Sequence, residues 1–522
     1  MTKSKFAWLA ATFLALFLSA TAEDAPKAAD ETAKAAEDKD KDKEKDKDKD
    51  KPDSHEKVVV TTNSVVVGGQ KIDYLARAGT LVLKNNEEKP AAAIFYVAYT
   101  RTNVADPKNR PITFSFNGGP GSSSVWLHLG LLGPRRVRLE DGGHPIAPPY
   151  SLVDNEYSLL DETDLVFIDP VSTGFSRAIK PDDAKNYHGL DEDIRSVADF
   201  IRLYLTRNGR WESPKFIIGE SYGTTRAAGL SGELRGRHFI NVNGIMLVSS
   251  VLNFQTLEFE EGNDLPYVVY LPSYTATAWY YKKLAPDLQA RPLTNVLAEV
   301  EAFAAGDYNH ALLLGDGLPA AERQSAISRY ARLTGLSETF VERSNLRVPL
   351  GRFAVELLRD RNEVVGRFDS RYSGKVRDRI ANEMPYDPSG TAVFGPFTST
   401  FNQYVRAELK FEQDTPYEIL TGKVHPWKWG SENSYVNVAG TLAESLTENP
   451  FLKVHVSCGY YDLATPYFAA RYTFNHLGVD PSLLKNVILD DYTAGHMMYV
   501  NPVDLQKQKG DLARFIHTAL GK

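Results

Sequence analysis

The sequence predicts an α/β fold with a mostly parallel central sheet, helices on both faces and a mainly helical insertion. Three observations predict it. Short, continuously apolar runs recur, such as Asp164 to Ile168, Lys215 to Ile218 and Gly244 to Val248, as expected of strands buried on both faces. Segments with helical spacing alternate with them, as in Asp191 to Leu205, where Ile194, Val197, Ala198, Ile201 and Leu205 share one face. Between residues 262 and 425 this rhythm breaks into helix-type patterns. At 522 residues, 43% of them hydrophobic and 24% charged, the chain can bury a large core, which excludes a wholly disordered protein.

The elements follow in order. Lys3 and Lys5, the apolar run Phe6 to Leu18 and the small residues Ala20 and Ala22 read as a signal peptide over 1–22, too short to span a bilayer. No later stretch is apolar and long enough to span one, so the mature chain is expected to have no membrane span and to be exported, periplasmic or secreted. Residues 23–57 read as a charged disordered linker, because Glu37 to Lys51 holds eight acids and seven lysines and nothing apolar to offset ordering entropy. The single cysteine, Cys458, excludes an intramolecular disulfide and reads as a small buried hydrophobe. In an exported chain it suggests a bacterial export route. With 60 basic against 67 acidic residues, composition gives no sign of a nucleic-acid partner.

The folded part divides into a first core segment (58–261), a helical cap insertion (262–425) and a second core segment (426–522). Lys57 to Thr62 and Ser64 to Val67 read as strands before a turn at Gly68-Gly69, followed by strands at Thr80 to Lys84 and Ala92 to Arg101. Pro111 to Phe116 begins the parallel pattern, and Leu452 to Val456 and Asn486 to Leu489 continue it. A helix over Leu505 to Leu520 closes the chain. In the insertion, Thr294 to Ala305, Pro319 to Leu333 and Pro349 to Arg359 read as amphipathic helices, and no strong strand is evident.

The chemistry begins at Gly219-Glu220-Ser221-Tyr222-Gly223. This G-x-S-x-G follows a strand and precedes a helix, the setting of a strained turn that exposes a nucleophilic serine. A serine hydroxyl needs a base, and the base an orienting carboxylate. Asp462 follows the strand at 452–456, and His496 follows the strand at 486–489, giving the chain order Ser, Asp, His. Asp490 and Asp491 are rival acids on the histidine's own segment. His128, His144, His188, His455 and His476 read as core or surface residues. The glycine cluster Asn117-Gly118-Gly119-Pro120-Gly121 lacks a phosphate-loop lysine. It can instead offer the N–H of Gly119, beside that of Tyr222, to a developing oxyanion.

These blocks resemble the serine carboxypeptidase family, an α/β-hydrolase group. Asn117 to Gly121 with Ser123-Ser124, Gly219 to Gly223, the Asp462 segment with Gly459, and Gly495-His496-Met497 carry the resemblance. It implies an α/β-hydrolase fold and removal of C-terminal residues from peptides with a free C-terminus, without metal or other cofactor. Ser221 is then nucleophile, His496 base and Asp462 orienter, and Asn117 and Glu220 resemble the residues that grip the substrate carboxylate. Three positions depart from the family pattern. Ser115 stands for a tryptophan, Ser122 for a cysteine, and Leu131 for a second acid. Arg135, Arg136 or a cap residue are the open candidates for the missing grip. The departures leave room for an esterase or acyltransferase on the same three residues. A non-catalytic binding module is disfavoured because none of the three is missing.

Overall fold

Along one strand, Pro90–Arg101, alternate side chains enter two different cores. Ile94, Tyr96 and Ala98 belong to one buried cluster, and Phe95, Val97 and Tyr99 to another. A period of two with both faces buried is the signature of a central sheet layer. The computed structural model describes residues 56–140 and 145–522. The expected signal peptide, the linker up to residue 55 and His144 lie outside the described residues. The linker's last two residues do not behave as a tether. Glu56 Oε1 accepts from the Val82 amide (2.9 Å) and Arg207 (2.7 Å), and the Lys57 carbonyl accepts from the Thr80 amide (2.8 Å).

Ten strands form one sheet among the described residues. They are β1 (Val58–Val67), β2 (Gln70–Lys84), β3 (Pro90–Arg101), β4 (Ile112–Phe116), β5 (Asp164–Ile168), β6 (Lys215–Glu220), β7 (Gly244–Val248), β8 (Lys453–Gly459), β9 (Val487–Tyr492) and the two-residue strand Arg177–Ala178 paired to β3. The spatial order is β1-β2-β3-β5-β4-β6-β7-β8-β9. From β5 to β9 every pairing is parallel, while β1, β2, β3 and β5 pair antiparallel in succession. The expected mostly parallel sheet is therefore present, and the chain has the α/β-hydrolase fold. The two runs before Gly68 are one strand, β1, and the Gly68-Gly69 turn joins it to β2. β2 starts ten residues before Thr80, and Ile72, Tyr74, Ala76 and Ala78 alternate inward along that stretch, a period-two pattern that the sequence reading passed over.

Helices α1 (Leu190–Arg207) and α2 (Tyr222–His238) cover the first face. In the insertion, α3 (Leu265–Tyr280), α4 (Leu293–Phe303) and α5 (Ala320–Thr334) extend the same cluster. Helix α6 (Pro388–Ala407) departs from them. Its Phe397, Phe401 and Tyr404 join the second cluster, on the opposite face, together with Phe515 of the last helix. Helices α7 (Ala439–Glu448), α8 (Tyr467–Asn475) and α9 (Pro502–Ala519) complete the layers. No strand was expected between 262 and 425, yet Glu363–Val365 and Ser373–Lys375 pair as a short antiparallel ribbon. Three-residue strands are below what an alternation pattern can reveal.

At the end of the sheet opposite the site, one carboxylate gathers three segments. Asp164, first in β5, accepts from the Arg101 amide (3.0 Å), Arg110 Nε (2.7 Å) and Arg210 Nη1 (2.6 Å). All three side chains are nearly inaccessible, at 2%, 9% and 8% for Asp164, Arg110 and Arg210. Removing one member of such a group strands its partners' charge. Asp164→Ala should therefore lower unfolding stability by about 3–5 kcal/mol. Urea denaturation checks this, and an unchanged midpoint would show that the cluster contributes nothing.

Candidate active site

Ser221 occupies the junction between β6 and α2 with φ 60° and ψ −131°. The left-handed φ costs free energy in a residue with a Cβ, and the surroundings enforce it. Ser221 N donates to Val248 O (3.0 Å), and Thr224 N donates back to Ser221 O (2.8 Å). A Cβ on Gly219 would overlap the Gly223 carbonyl, and one on Gly223 would meet Phe116 O and Asn117 C at 3.1 Å. The two glycines of the motif are thus required by backbone approaching backbone. The Ser221 hydroxyl sits at the N-terminus of α2, where free amides favour negative charge.

The Asn117 to Gly121 loop leans on this turn. A Cβ on Gly118 would lie 2.5 Å from Tyr222 N and 2.8 Å from Glu220 O. Among the described residues, neither Gly119 N–H nor Tyr222 N–H donates to a protein acceptor. A fully buried ion pair braces both sides of the arrangement. Arg226 Nε donates to Asp193 Oδ2 (2.7 Å) and its Nη1 to Asn117 O (2.6 Å), while Tyr222 hydroxyl donates to the same Asp193 oxygen (3.0 Å). Further along the loop, Ser124 N and Oγ both donate to Asp169 Oδ1 at 2.8 Å. Burial pushes the Asp169 carboxyl up to about 6 even so.

Asp462 is fully buried and accepts four hydrogen bonds. Ala464 N (2.7 Å) and Thr465 N (2.9 Å) bind Oδ1, and Thr465 Oγ1 (2.8 Å) and His496 Nδ1 (2.8 Å) bind Oδ2. Burial opposes protonation of His496. The charge and hydrogen bond of Asp462 outweigh it, with Glu220 adding to them, and hold the imidazole pKa above its ordinary value. The His496 carbonyl accepts from Ser249 Oγ (2.6 Å), one residue beyond the carbonyl that holds Ser221. Ser221 and His496 are therefore tied to consecutive residues at the end of β7. Among the described residues, neither Ser221 Oγ nor His496 Nε2 has a hydrogen-bond partner. Unliganded sites often leave this contact open.

Asn117 Nδ2 donates to Glu220 Oε1 (3.0 Å), and Asn117 Oδ1 accepts from Leu127 N (3.1 Å). Burial, partly offset by the neighbouring His496, Tyr499 and Asn117, pushes the Glu220 carboxyl up to about 7. Leu131 is buried. Arg135 pairs with Glu408 (2.7 Å) and Asp154, and Arg136 with Glu156 (3.0 Å), so both guanidinium groups are already committed. The rival acids are engaged elsewhere, Asp490 by His455 (2.9 Å) and Asp491 by Arg471. His128 is buried under Tyr99 (2.7 Å), and burial depresses it to about 3. Cys458 is buried and its thiol pKa is raised by desolvation, as expected of an inert side chain.

Sequence reading missed several residues that build this site. Thr465 gives Asp462 two of its bonds, and its place three residues after the acid was a usable turn signal. Phe368 left no signal. From the insertion it accepts from His496 N (2.6 Å) and stacks on the imidazole, with ring centroids 5.3 Å apart.

Comparison with known proteins adds the following. The family model described as serine carboxypeptidase matches residues 69–486. Serine carboxypeptidase-like 8 of Arabidopsis thaliana is 27% identical over 191 residues, 35% of this chain and 41% of that protein. Serine carboxypeptidase-like 46 of the same plant is 30% identical over 36% of this chain and 39% of its own length. The matched stretches thus span less than half of these relatives. Among solved structures, the prohormone-processing carboxypeptidase Kex1 of Saccharomyces cerevisiae superposes with a TM-score of 0.53 at 17% identity, covering 85% of this chain and 91% of the other, which supports the fold.

The buried Glu220 gives the site a pH signature. Its folded pKa is about 7 against an ordinary 4.5. The stability tied to its neutral form is complete below 4.5 and is lost as pH rises through about 7. The full swing is about 3 kcal/mol. Thermal melts of wild type and Glu220→Gln should diverge in the variant's favour between pH 4.5 and 7.5, and a pH-independent gap would contradict the buried-acid picture.

Proposed function

This chain belongs to the serine carboxypeptidase family, and from that membership we propose that it is an exported serine-type carboxypeptidase acting on peptides with a free C-terminus. The observation that carries the reading is the buried Asp462–His496 pair (2.8 Å) anchored to the same strand end as the strained Ser221. Ser221 is the nucleophile. His496 Nε2 takes its proton as Oγ attacks the last peptide carbonyl, and Asp462 stabilises the imidazolium so formed. The N–H groups of Gly119 and Tyr222 receive the oxyanion, a donor pair in which each member is worth about 3 kcal/mol in the transition state. The tetrahedral species collapses as His496 gives the proton to the leaving amine. Water, deprotonated by His496, then attacks the acyl-enzyme and frees Ser221. Asn117 and Glu220 bind the terminal carboxylate. Glu220 donates only while protonated, so KM for a free-acid peptide should rise as pH passes upward through about 7. Among the described residues no helix is long and apolar enough to cross a membrane, which is compatible with an exported, periplasmic or secreted enzyme.

Leu131 and Ser115 favour one second reading, an esterase or acyltransferase with the same three residues, since both departures remove carboxylate-side groups. Two measurements decide. Ser221→Ala should lose at least a thousandfold in kcat on a blocked dipeptide, with the residual rate due to binding and oxyanion stabilisation. Wild type should cleave the free acid far faster than the matching C-terminal amide. Equal rates on acid and amide would remove the need for a free C-terminus and favour an esterase or endopeptidase.

A further inference from the structure

The proposed exopeptidase leaves its carboxylate grip underfilled. One proton of the Asn117 amide is spent on Glu220, Leu131 offers nothing polar, and Arg135 and Arg136 are held in ion pairs. The insertion, however, brings a guanidinium against the aromatic ring that stacks on His496. Residues 367–371 thread between the two catalytic turns. Leu463 N donates to Arg367 O (3.1 Å), Ser370 N to Tyr461 O (3.0 Å), His496 N to Phe368 O (2.6 Å) and Gly495 N to Asp369 Oδ2 (3.0 Å). The Arg367 amide itself donates to Asp387 Oδ1 (3.1 Å), at the start of α6. The backbone of Arg367 is therefore fixed relative to both Asp462 and His496.

Its side chain lies over Phe368, with the guanidinium carbon 5.6 Å from the ring centroid, and Phe368 in turn stacks on the imidazole. Among the described residues the guanidinium has neither a hydrogen bond nor an ion pair. Its neighbour Asp369 is taken by Arg371 (2.6 Å). Glu258, half-buried and within its field, is not bonded to it. A fork of donors left unpaired one aromatic ring away from the base is the group that best matches a carboxylate in shape and charge.

We propose that Arg367 binds the α-carboxylate of the substrate's C-terminal residue, standing in for the acid that Leu131 replaces. The inference rests on the carboxypeptidase reading of the same site. The electrostatics agree with the placement, since the charge of Arg367 reaches His496 and works against its protonation. In this role Arg367 is a binding residue. Phe368 is a positioning residue, holding the imidazole face and the stem of Arg367 together.

The experiment compares kcat/KM for one blocked dipeptide as free acid and as amide, in wild type, Arg367→Met and Arg367→Lys. Because the acid-to-amide ratio is read within each protein, partial loss of folded enzyme cancels. Loss of a charged carboxylate contact corresponds to about tenfold to a hundredfold. The ratio should therefore fall by at least about tenfold in Arg367→Met, chiefly through KM of the acid, and recover in part in Arg367→Lys. A wild-type ratio well above one that persists in Arg367→Met overturns the role of Arg367 and leaves the carboxypeptidase reading standing. A wild-type ratio near one overturns both.

Discussion

Everything at the site hangs on the last two residues of one strand end. Val248 O holds the Ser221 amide, and Ser249 contributes all of its polar groups in turn. Its N–H donates to Ser457 O, its hydroxyl donates to the His496 carbonyl, and its carbonyl lies 3.0 Å from Thr465 Oγ1, the hydroxyl that also faces Asp462. Ser249 has a positive φ of 53°, so the chain turns sharply there and presents these groups to β8 and to the loops at 462–465 and 496. β7 lies between β6 and β8 in the sheet, which is why residues from 221, 462 to 465 and 496 can meet. Parallel strands end at one edge, and a hydrogen-bonded hinge at the central strand sets the spacing among the loops that leave it.

Buried charge does the remaining positioning. Arg226 and Asp193 are paired in an environment where an isolated charge would be strongly disfavoured, and their extra bonds reach Asn117 O and Tyr222. These are the two flanks of the expected oxyanion pocket. A mobile surface pair could not fix that distance; a desolvated one whose Asp193 Oδ2 accepts from both Arg226 and Tyr222 can. The same low polarity raises Glu220 and strengthens the hold of Asp462 on His496. The dry environment thus favours a neutral acid beside Asn117 and by itself opposes protonation of the imidazole, an effect that the charge and hydrogen bond of Asp462 outweigh.

The strands β5 and β7 are legible in the sequence because each is a continuous, buried and almost wholly apolar run. Asp164 to Ile168 and Gly244 to Val248 coincide with the observed bounds. Helix α3 was hidden for the complementary reason. Leu265–Tyr280 is apolar almost all round and holds Pro272, so no face stands out. Helix α6 was masked by Gly390, Gly395 and Pro396, which read as breakers until packing overrides them. At the site, the Asp462–His496 and Asn117–Glu220 contacts follow from motif and chain order. The contributions of Ser249, Arg226 and Phe368 do not, because they are made by backbone groups or by side chains outside any motif, from Arg226 to Asp193 and Asn117 O and from Ser249 to His496 O, where no local spacing records the contact.

That asymmetry bears on how the insertion should be understood. A lid resting on a finished hydrolase core could be exchanged without touching the base. Here Gly495 has no room for a Cβ because Phe368 O and Asp369 fill it, and Arg371 reaches past Asp369 to Thr493 O (2.8 Å). Ser389 Oγ donates nothing to the base directly, yet it accepts from the Phe368 and Asp369 amides (3.1 and 3.2 Å) and so links the start of α6 to the loop on His496. Since α6 packs its Phe397 and Phe401 on the far face of the sheet, the loop is clamped from below as well as beside. The insertion is therefore structural support for the imidazole, delivered through the backbone of 366–371. What the insertion fixes there is the peptide path, since the Arg367 and Phe368 carbonyls hold Leu463 N and His496 N.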